Sequence, residues 1–318
     1  MKRFPTSKRG EPKVKSLSKF SKYERFLEKR LYKMMNFPEI IQTDWTTAPN
    51  RYVKAAGISF AFRELGVPSG TPAILLNHWG ANLDNFDPRI VNGLASSRPV
   101  FTLDYRGIGA SEGQAPLTVD EMANDVIAII RRLGFSQVDL IGFSLGGFVA
   151  QDVTLKAPDL IRRLILAATG PAGGKDIDKI GIVSWPLIIK GLLTLRDPKT
   201  YLFFTSSNQS RRAARAFLER LKERKDERDK PVSLSAFRRQ LQAIREWGTH
   251  ASQDLSTIHQ PVLVINGDHD IMVPTSNSIT LSQRLPNAEL VIYEDAGHGS
   301  IFQYHSAFVR KMHEFLEQ

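Results

Sequence analysis

The chain of 318 residues is 42% hydrophobic and 24% charged, so it is long and apolar enough to bury a core. The absence of cysteine excludes disulfide bonds, thiolate metal ligands and a cysteine nucleophile. Of the net charge of +10, residues 1–36 carry +9, from 12 Lys or Arg and three acidic residues. Because the rest of the chain is nearly neutral, we expect no nucleic-acid partner.

Residues 1–49 are predicted to form a basic N-terminal arm, partly helical and partly disordered. Its helical part is the stretch from Leu17 to Met35, where apolar residues recur at helical spacing. A solvated tail explains the arm most simply, and a weak contact with an anionic membrane is the alternative that its charge allows. Neither a secretory signal nor a membrane span is predicted. We therefore expect a cytoplasmic location, and organelle targeting by the arm stays open.

From residue 50 onward, short apolar segments alternate with helical ones. Tyr52–Ala56 and Ile58–Glu64 are predicted to pair as strands around Gly57. Six further segments are typical of buried strands: Ala73–Leu76, Val100–Leu103, Val138–Ile141, Leu164–Ala167, Val262–Ile265 and Leu290–Tyr293. This alternation predicts βαβ units and a parallel sheet, and thus an α/β fold.

Residues 173–255 break the alternation because they contain no convincing strand. They are predicted to form a helical cap inserted into a core made of residues 50–172 and 256–318. A charge-dense helix is predicted over 211–228, with its charges on a solvated face rather than on a binding patch.

The segment Val138–Gly147 contains the pattern Gly-x-Ser-x-Gly, formed by Gly142, Ser144 and Gly146. The pattern lies between a predicted strand and a predicted helix, which is the setting of a serine nucleophile on a sharp turn. Glycine on both sides avoids clashes in such a turn, and the following helix directs its N–H groups at developing negative charge. We therefore predict that Ser144 is a nucleophile rather than part of a chance glycine-serine turn.

A serine hydroxyl needs a base that a carboxylate orients, and with this motif the acid and then the histidine follow the serine along the chain. Of seven histidines, His298 is the one that follows a strand directly and lies between two glycines. Two carboxylates compete for the third role. Asp270 is preferred because it lies where the chain has left the strand, and Asp268 is expected to brace the loop.

A tetrahedral intermediate also needs two backbone N–H groups that stabilise its oxyanion. One is predicted to come from Leu145, the residue after the nucleophile. The other is expected in the segment NHWG that follows strand Ala73–Leu76, where its glycine and the downstream Phe86 place Trp79 at the donor position.

Five segments together resemble the α/β-hydrolase fold family, in its lid-bearing esterase and non-haem haloperoxidase-like branch. They are LLNHWG from Leu75, DYRGIGASEG from Asp104, GFSLGG from Gly142, GDHD from Gly267 and DAGHG from Asp295. The resemblance covers residues 50–318. It implies an eight-stranded, mostly parallel sheet flanked by helices, an inserted helical cap, and acyl-enzyme hydrolysis without a cofactor or metal. It also implies a structural role for Arg106 and Gly107.

The oxyanion loop departs from the family pattern. Asn77 and His78 stand where the family usually has His-Gly, and Gly80 stands where haloperoxidase-like members tend to have proline. The missing proline argues against perhydrolysis. For His78 two interpretations stay open: a polar group that binds substrate, or a packed loop residue.

The predicted function is hydrolysis of a small carboxylic ester or related acyl substrate by Ser144, His298 and Asp270. Epoxide hydrolases and dehalogenases of this fold need aspartate in place of the serine. The same triad also serves carbon–carbon or cyanohydrin cleavage and perhydrolysis, and a non-catalytic small-molecule receptor is the alternative from another class. Four aromatic residues indicate either an apolar pocket or the core of the cap: Trp79, Phe143, Trp185 and Phe203. The natural substrate and the oligomeric state stay open.

Overall fold

A computed structural model of the protein describes residues 44–318. The predicted helical stretch from Leu17 to Met35 lies outside the described residues. The end of the predicted arm, residues 44–49, packs on the core, where Trp45 is buried with its ring edge-on to Phe86 at 5.9 Å.

Eight strands form one sheet in the order β1-β2-β4-β3-β5-β6-β7-β8. Their bounds are β1 Arg51–Ala55, β2 Ile58–Leu65, β3 Ala73–Leu76, β4 Val100–Leu103, β5 Val138–Phe143, β6 Ile161–Ala167, β7 Val262–Gly267 and β8 Ala288–Tyr293. The pairings of β2 with β1 and with β4 are antiparallel and the others are parallel. The predicted eight-stranded, mostly parallel sheet is therefore confirmed.

Ten α-helices are described in residues 44–318. They are α1 Pro88–Ala95, α2 Val119–Arg132, α3 Leu145–Lys156, α4 Ile180–Leu193, α5 Lys199–Leu202, α6 Asn208–Arg220, α7 Leu234–Thr249, α8 Thr275–Arg284, α9 Ser300–Gln303 and α10 His305–Leu316. Short 3₁₀ turns lie at Leu83–Asn85, Pro158–Leu160, Ile177–Lys179 and Leu255–Thr257. None of the helices in this part of the chain is both long and apolar enough to cross a membrane.

The centre of the sheet is buried on both faces. Every residue of β3, β4, β5 and β7 is buried, which explains why these strands appear in the sequence as mostly apolar runs. Helix α3 packs against β3, β5 and β6, and α8 packs against β7 and β8. Parallel strands end at a common edge, so the loops after β3, β5, β7 and β8 meet there.

Between β6 and β7 the chain forms helices α4 to α7 and no strand. The predicted charge-dense helix over 211–228 is wrong in length, since α6 ends at Arg220. The predicted solvated face is wrong for two of its residues. Arg220 is buried and binds Asp87 through Nε and Nη2, at 2.9 and 2.6 Å. Arg224 is buried as well and donates from Nη1 to the carbonyl oxygens of residues 45, 46 and 48. A guanidinium tolerates burial when its N–H groups are bound in this way.

A pair of buried carboxyl groups joins the segment after α6 to the core. Asp104 follows β4 and Asp229 lies after α6. Their Oδ2 atoms lie close together beside Gly109, in the space that a Cβ at this position would fill. Burial, and then the neighbouring Asp229 carboxylate, raise the pKa of Asp104 well above its usual range. Native Asp104 therefore keeps a proton at pH values where the unfolded chain has lost it.

This pair makes stability depend on pH with a definite sign. Above the unfolded pKa of 3.8, wild-type stability falls as the pH rises through the raised pKa of Asp104. The Asp104→Asn variant cannot titrate and keeps an N–H donor for Asp229. We expect its free energy of unfolding to exceed the wild-type value by about 1 kcal/mol at pH 8, with a smaller gain near pH 4. Urea denaturation at both pH values measures this, with the exposed Asp226→Asn as the control. A loss of stability at pH 8, or a gain that does not change with pH, would contradict the assignment.

Candidate active site

Ser144 lies in the sharp turn between β5 and α3. Its backbone has φ 57° and ψ −117°, a left-handed conformation that is strained for any residue with a Cβ. Such a turn leaves no room for side chains on either side. A Cβ on Gly142 would overlap the backbone of Gly146, and a Cβ on Gly146 would overlap the carbonyl oxygen of Leu76. The glycines of the motif are thus required by close approach of the backbone.

His298 and Asp270 meet Ser144 at the edge where the strands end. The Nε2 atom of His298 lies 2.9 Å from Oγ of Ser144, and its Nδ1 atom lies 2.8 Å from Oδ2 of Asp270. All three side chains are buried. A carboxylate only accepts hydrogen bonds, so Nδ1 of His298 carries the proton and Nε2 turns its lone pair to the serine hydroxyl. The arrangement can therefore take the serine proton as Oγ attacks an electrophile.

The two aspartates of the loop after β7 have separate partners. Oδ1 of Asp270 accepts hydrogen bonds from the N–H groups of Met272 and Val273, at 2.9 and 3.0 Å, which leaves Oδ2 for His298. Asp268 instead accepts hydrogen bonds from the N–H groups of Asp295 and Ala296. Asp268 thereby links the loop after β7 to the loop that carries His298. Asp270, in contrast, contacts the imidazole of His298.

Two backbone N–H groups are available beside the serine. Leu145 is the first residue of α3, where helix N–H groups have no partner within the helix and carry partial positive charge. Trp79 lies in the loop after β3 and lines the same pocket as Ser144. Within residues 44–318, the N–H of Trp79 has no hydrogen-bond acceptor. Neither N–H is engaged by an acceptor within the described residues, so both are free to donate to another group.

The peptide group between Trp79 and Gly80 is held at both of its polar atoms. Its carbonyl oxygen accepts a hydrogen bond from Nδ1 of His78 at 2.8 Å, and its N–H donates to Oε1 of Gln240 on α7 at 2.9 Å. The Trp79 indole also donates to the carbonyl oxygen of Phe237 at 2.8 Å and stacks on that ring at 4.2 Å. Sequence patterns gave no sign of Phe237 and Gln240, because contacts between α7 and a loop some 160 residues earlier follow no motif.

His78 is packed rather than solvent-exposed. Its ring lies edge-on to Phe143 and Phe203, with centroid distances of 5.6 and 5.1 Å. Burial lowers the pKa of His78 to about 3, so the imidazole is neutral at physiological pH and its Nδ1–H stays available for Trp79. These contacts support the packed-loop interpretation. The ring also lines the pocket.

A pocket of about 190 Å³ lies over Ser144 and His298. Helices α4, α5 and α7 and their connections close it with mostly apolar side chains: Ile188, Pro198, Leu202, Phe203 and Phe237. Asp197 and Lys199 also line it and pair with each other at 3.0 Å. Of the four aromatic candidates for the pocket or the core of the cap, Trp79 and Phe203 line the pocket. Phe143 packs behind His298 at 5.2 Å, and Trp185 is partly exposed on the outside of α4.

Arg106 and Gly107 lie apart from the pocket lining. Arg106 pairs with Asp125 of α2, with Nε 2.9 Å from Oδ2. Gly107 has φ 68°, and a Cβ there would contact the backbone of residues 114 and 115. These contacts agree with the structural role that the resemblance implies.

Comparison with known proteins places this arrangement in a family. Residues 72–303 match the family model of the alpha/beta hydrolase fold. The chain is similar to the structure of an alpha/beta hydrolase fold protein from Chitinophaga pinensis, at 38% identity and a TM-score of 0.82 over 87% of this chain and 100% of that one. It is also similar to a poly(3-hydroxyalkanoate) depolymerase from Ectopseudomonas oleovorans, at 29% identity over 80% of this chain and 87% of that protein. A third similar protein is the proline iminopeptidase PfmaB from Pestalotiopsis fici, at 25% identity over 84% of this chain and 99% of that protein. The chain therefore belongs to the alpha/beta hydrolase fold family.

Proposed function

We propose that the protein hydrolyses small carboxylic esters through an acyl-enzyme formed on Ser144. The observation that carries the proposal is the hydrogen-bonded line from Ser144 through His298 to Asp270, buried at the floor of a pocket. A receptor without turnover has no need of a strained serine in line with a base.

In the proposed mechanism, His298 Nε2 takes the hydroxyl proton as Ser144 Oγ attacks the ester carbonyl carbon. The N–H groups of Trp79 and Leu145 stabilise the oxyanion. The imidazolium, stabilised by Asp270, then donates the proton to the leaving alkoxide, and the alcohol departs. A water molecule then attacks the acyl carbonyl carbon while His298 takes its proton. His298 returns this proton to Ser144 Oγ as the bond between Oγ and the acyl carbon breaks and the acid is released.

The names of similar proteins include both a polyester depolymerase and a peptidase, so esters and amides are the two acyl classes to separate. We favour esters because the pocket lining is mostly apolar and an alkoxide leaves more readily than an amide nitrogen. Rates on p-nitrophenyl butyrate and on the matched butyryl p-nitroanilide test this choice. We expect kcat/KM for the ester to be at least 100-fold higher. Comparable rates would show an amidase, and no turnover across acetate, butyrate and octanoate esters would contradict the proposal.

The hydrogen bond from the Gly80 N–H to Gln240 of α7 gives a further prediction. In Gln240→Leu the Gly80 N–H loses its acceptor, so the peptide after Trp79 can turn and displace the neighbouring donor. Loss of an oxyanion donor costs about 10²–10³ in kcat, and we expect a displaced one to cost about tenfold with little change in KM. Steady-state kinetics on p-nitrophenyl butyrate measure the changes in kcat and in KM separately.

Gln240→Glu keeps an acceptor oxygen and should recover most of kcat. Gln209→Leu, on the exposed side of α6, is the matched control and should behave as wild type. If Gln240→Leu raised KM alone, or if Gln240→Glu were equally slow, α7 would not act through the oxyanion loop.

A further inference from the structure

The outer face of α4 is unusually apolar for an exposed helix. Six of the eleven large apolar side chains that are exposed in residues 44–318 lie within 14 consecutive positions: Ile182, Trp185, Ile189, Leu192, Leu193 and Leu195. Ile182 is 70% exposed and Leu193 is 81% exposed. Clusters of this kind mark interaction surfaces, whereas single exposed apolar residues are ordinary.

A surface helix usually packs its apolar side against the protein, whereas α4 turns the side with most of its large apolar residues outward. Positions 182, 185, 189, 192 and 193 share one side at 3.6 residues per turn, and that side faces outward. The buried residues of the helix, which pack against the protein, are Ile180 and the small residues Gly181, Ser184 and Gly191. Three of the four buried positions of the helix are therefore small, while five of its large apolar side chains are left in water.

The charges around this face suit an anionic surface. Residues 180–196 contain Lys190 and Arg196, both exposed, and no acidic residue. Of the three acidic residues just outside this stretch, Asp176 pairs with Lys179 and Asp197 pairs with Lys199, and Asp178 is half-buried. An apolar helix face bordered by cations is typical of helices that lie in the headgroup region of anionic bilayers.

The same helix also borders the pocket. Ile188 lines the pocket, and the ring of Trp185 lies edge-on to the pocket residue Phe237 at 6.1 Å. We propose that the outer face of α4 docks on anionic lipid bilayers, with Trp185, Ile189 and Leu193 entering the interface. Docking would place the pocket beside the membrane. This proposal is independent of the proposed ester hydrolysis, because it concerns binding alone.

Tryptophan fluorescence gives a test specific to α4. The protein has four tryptophans; Trp45, Trp79 and Trp247 are buried, and Trp185 is exposed on the docking face. The full-length protein is mixed with phosphatidylcholine vesicles containing 30% phosphatidylglycerol, with brominated acyl chains as quenchers. We expect at least a twofold larger quenching than with purely phosphatidylcholine vesicles, and its loss in Trp185→Phe.

Vesicle sedimentation with matched variants completes the test. Replacing Ile189, Leu192 and Leu193 by glutamine should lower the bound fraction at least tenfold. The control replaces Tyr52, Leu117 and Ile279, also exposed, and should bind like wild type. Thermal unfolding confirms that both triple variants are folded. Sedimentation without quenching would assign binding to the basic N-terminal region and overturn the proposal. Loss of a dimer without lipid, seen only in the α4 variant, would also overturn it and assign the face to a second copy.

Discussion

Replacement of Ser144 by alanine should lower kcat for p-nitrophenyl butyrate by about five powers of ten, with little change in KM. The variant loses the atom that forms the acyl-enzyme and leaves His298 with nothing to deprotonate except water. The remaining turnover comes from binding and from the oxyanion donors Trp79 and Leu145. Steady-state kinetics measure the loss, and mass spectrometry after fluorophosphonate treatment should locate a single adduct on Ser144 in the wild type.

Ser184→Ala is the matched control, since Ser184 is a buried serine on the inner side of α4 and lies outside the triad. It should keep wild-type kinetics and still take up the fluorophosphonate. If Ser144→Ala retained activity within tenfold of wild type, or if the adduct appeared on another residue, the acyl-enzyme proposal would fail.

Asp270→Asn should lower kcat by about three to four powers of ten at pH 7. The side chain of asparagine has no charge to stabilise the imidazolium. Its amide also favours the tautomer of His298 that carries the proton on Nε2, which cannot accept the serine proton. Circular dichroism and steady-state kinetics together separate this loss from a loss of fold.

The neighbouring carboxylate provides the control for that experiment. Asp268→Asn leaves His298 its partner but weakens the bonds to the N–H groups of Asp295 and Ala296. We expect a lower unfolding temperature and at most a tenfold decrease in kcat. The opposite ranking of the two variants would assign the acid role to Asp268.

The strands and the triad could be predicted from sequence because both depend on local or ordered patterns. A strand buried on both faces appears as an apolar run, as in β3, β4, β5 and β7. All eight segments were found, although β5 to β8 extend two or three residues beyond them. Ser144 has a motif, and chain order with strand ends selects His298 and Asp270. These signals depend on few residues, so they can be recognised without knowledge of tertiary contacts.

The contacts of helices α4 to α7 could not be predicted in the same way. Whether Arg220 is solvated or buried depends on Asp87, 133 residues earlier in the chain. Trp185 was a candidate for the pocket or for the core of the cap. It faces outward instead, because the side of α4 that contains Gly181 and Gly191 packs inward. Side-chain type alone does not distinguish a pocket aromatic from a surface one, because that difference is set by the packing partner.

The peptide between Trp79 and Gly80 is held by the core at one atom and by α7 at the other. In the proposed mechanism, helix α7 therefore helps to position the oxyanion donor, in addition to lining the pocket. Any movement of α7 that admitted a larger substrate would also loosen the oxyanion donor, so broad substrate entry and fast turnover oppose each other. Selection for larger substrates should then act first on α4 and α5, which line the pocket without binding the peptide between Trp79 and Gly80.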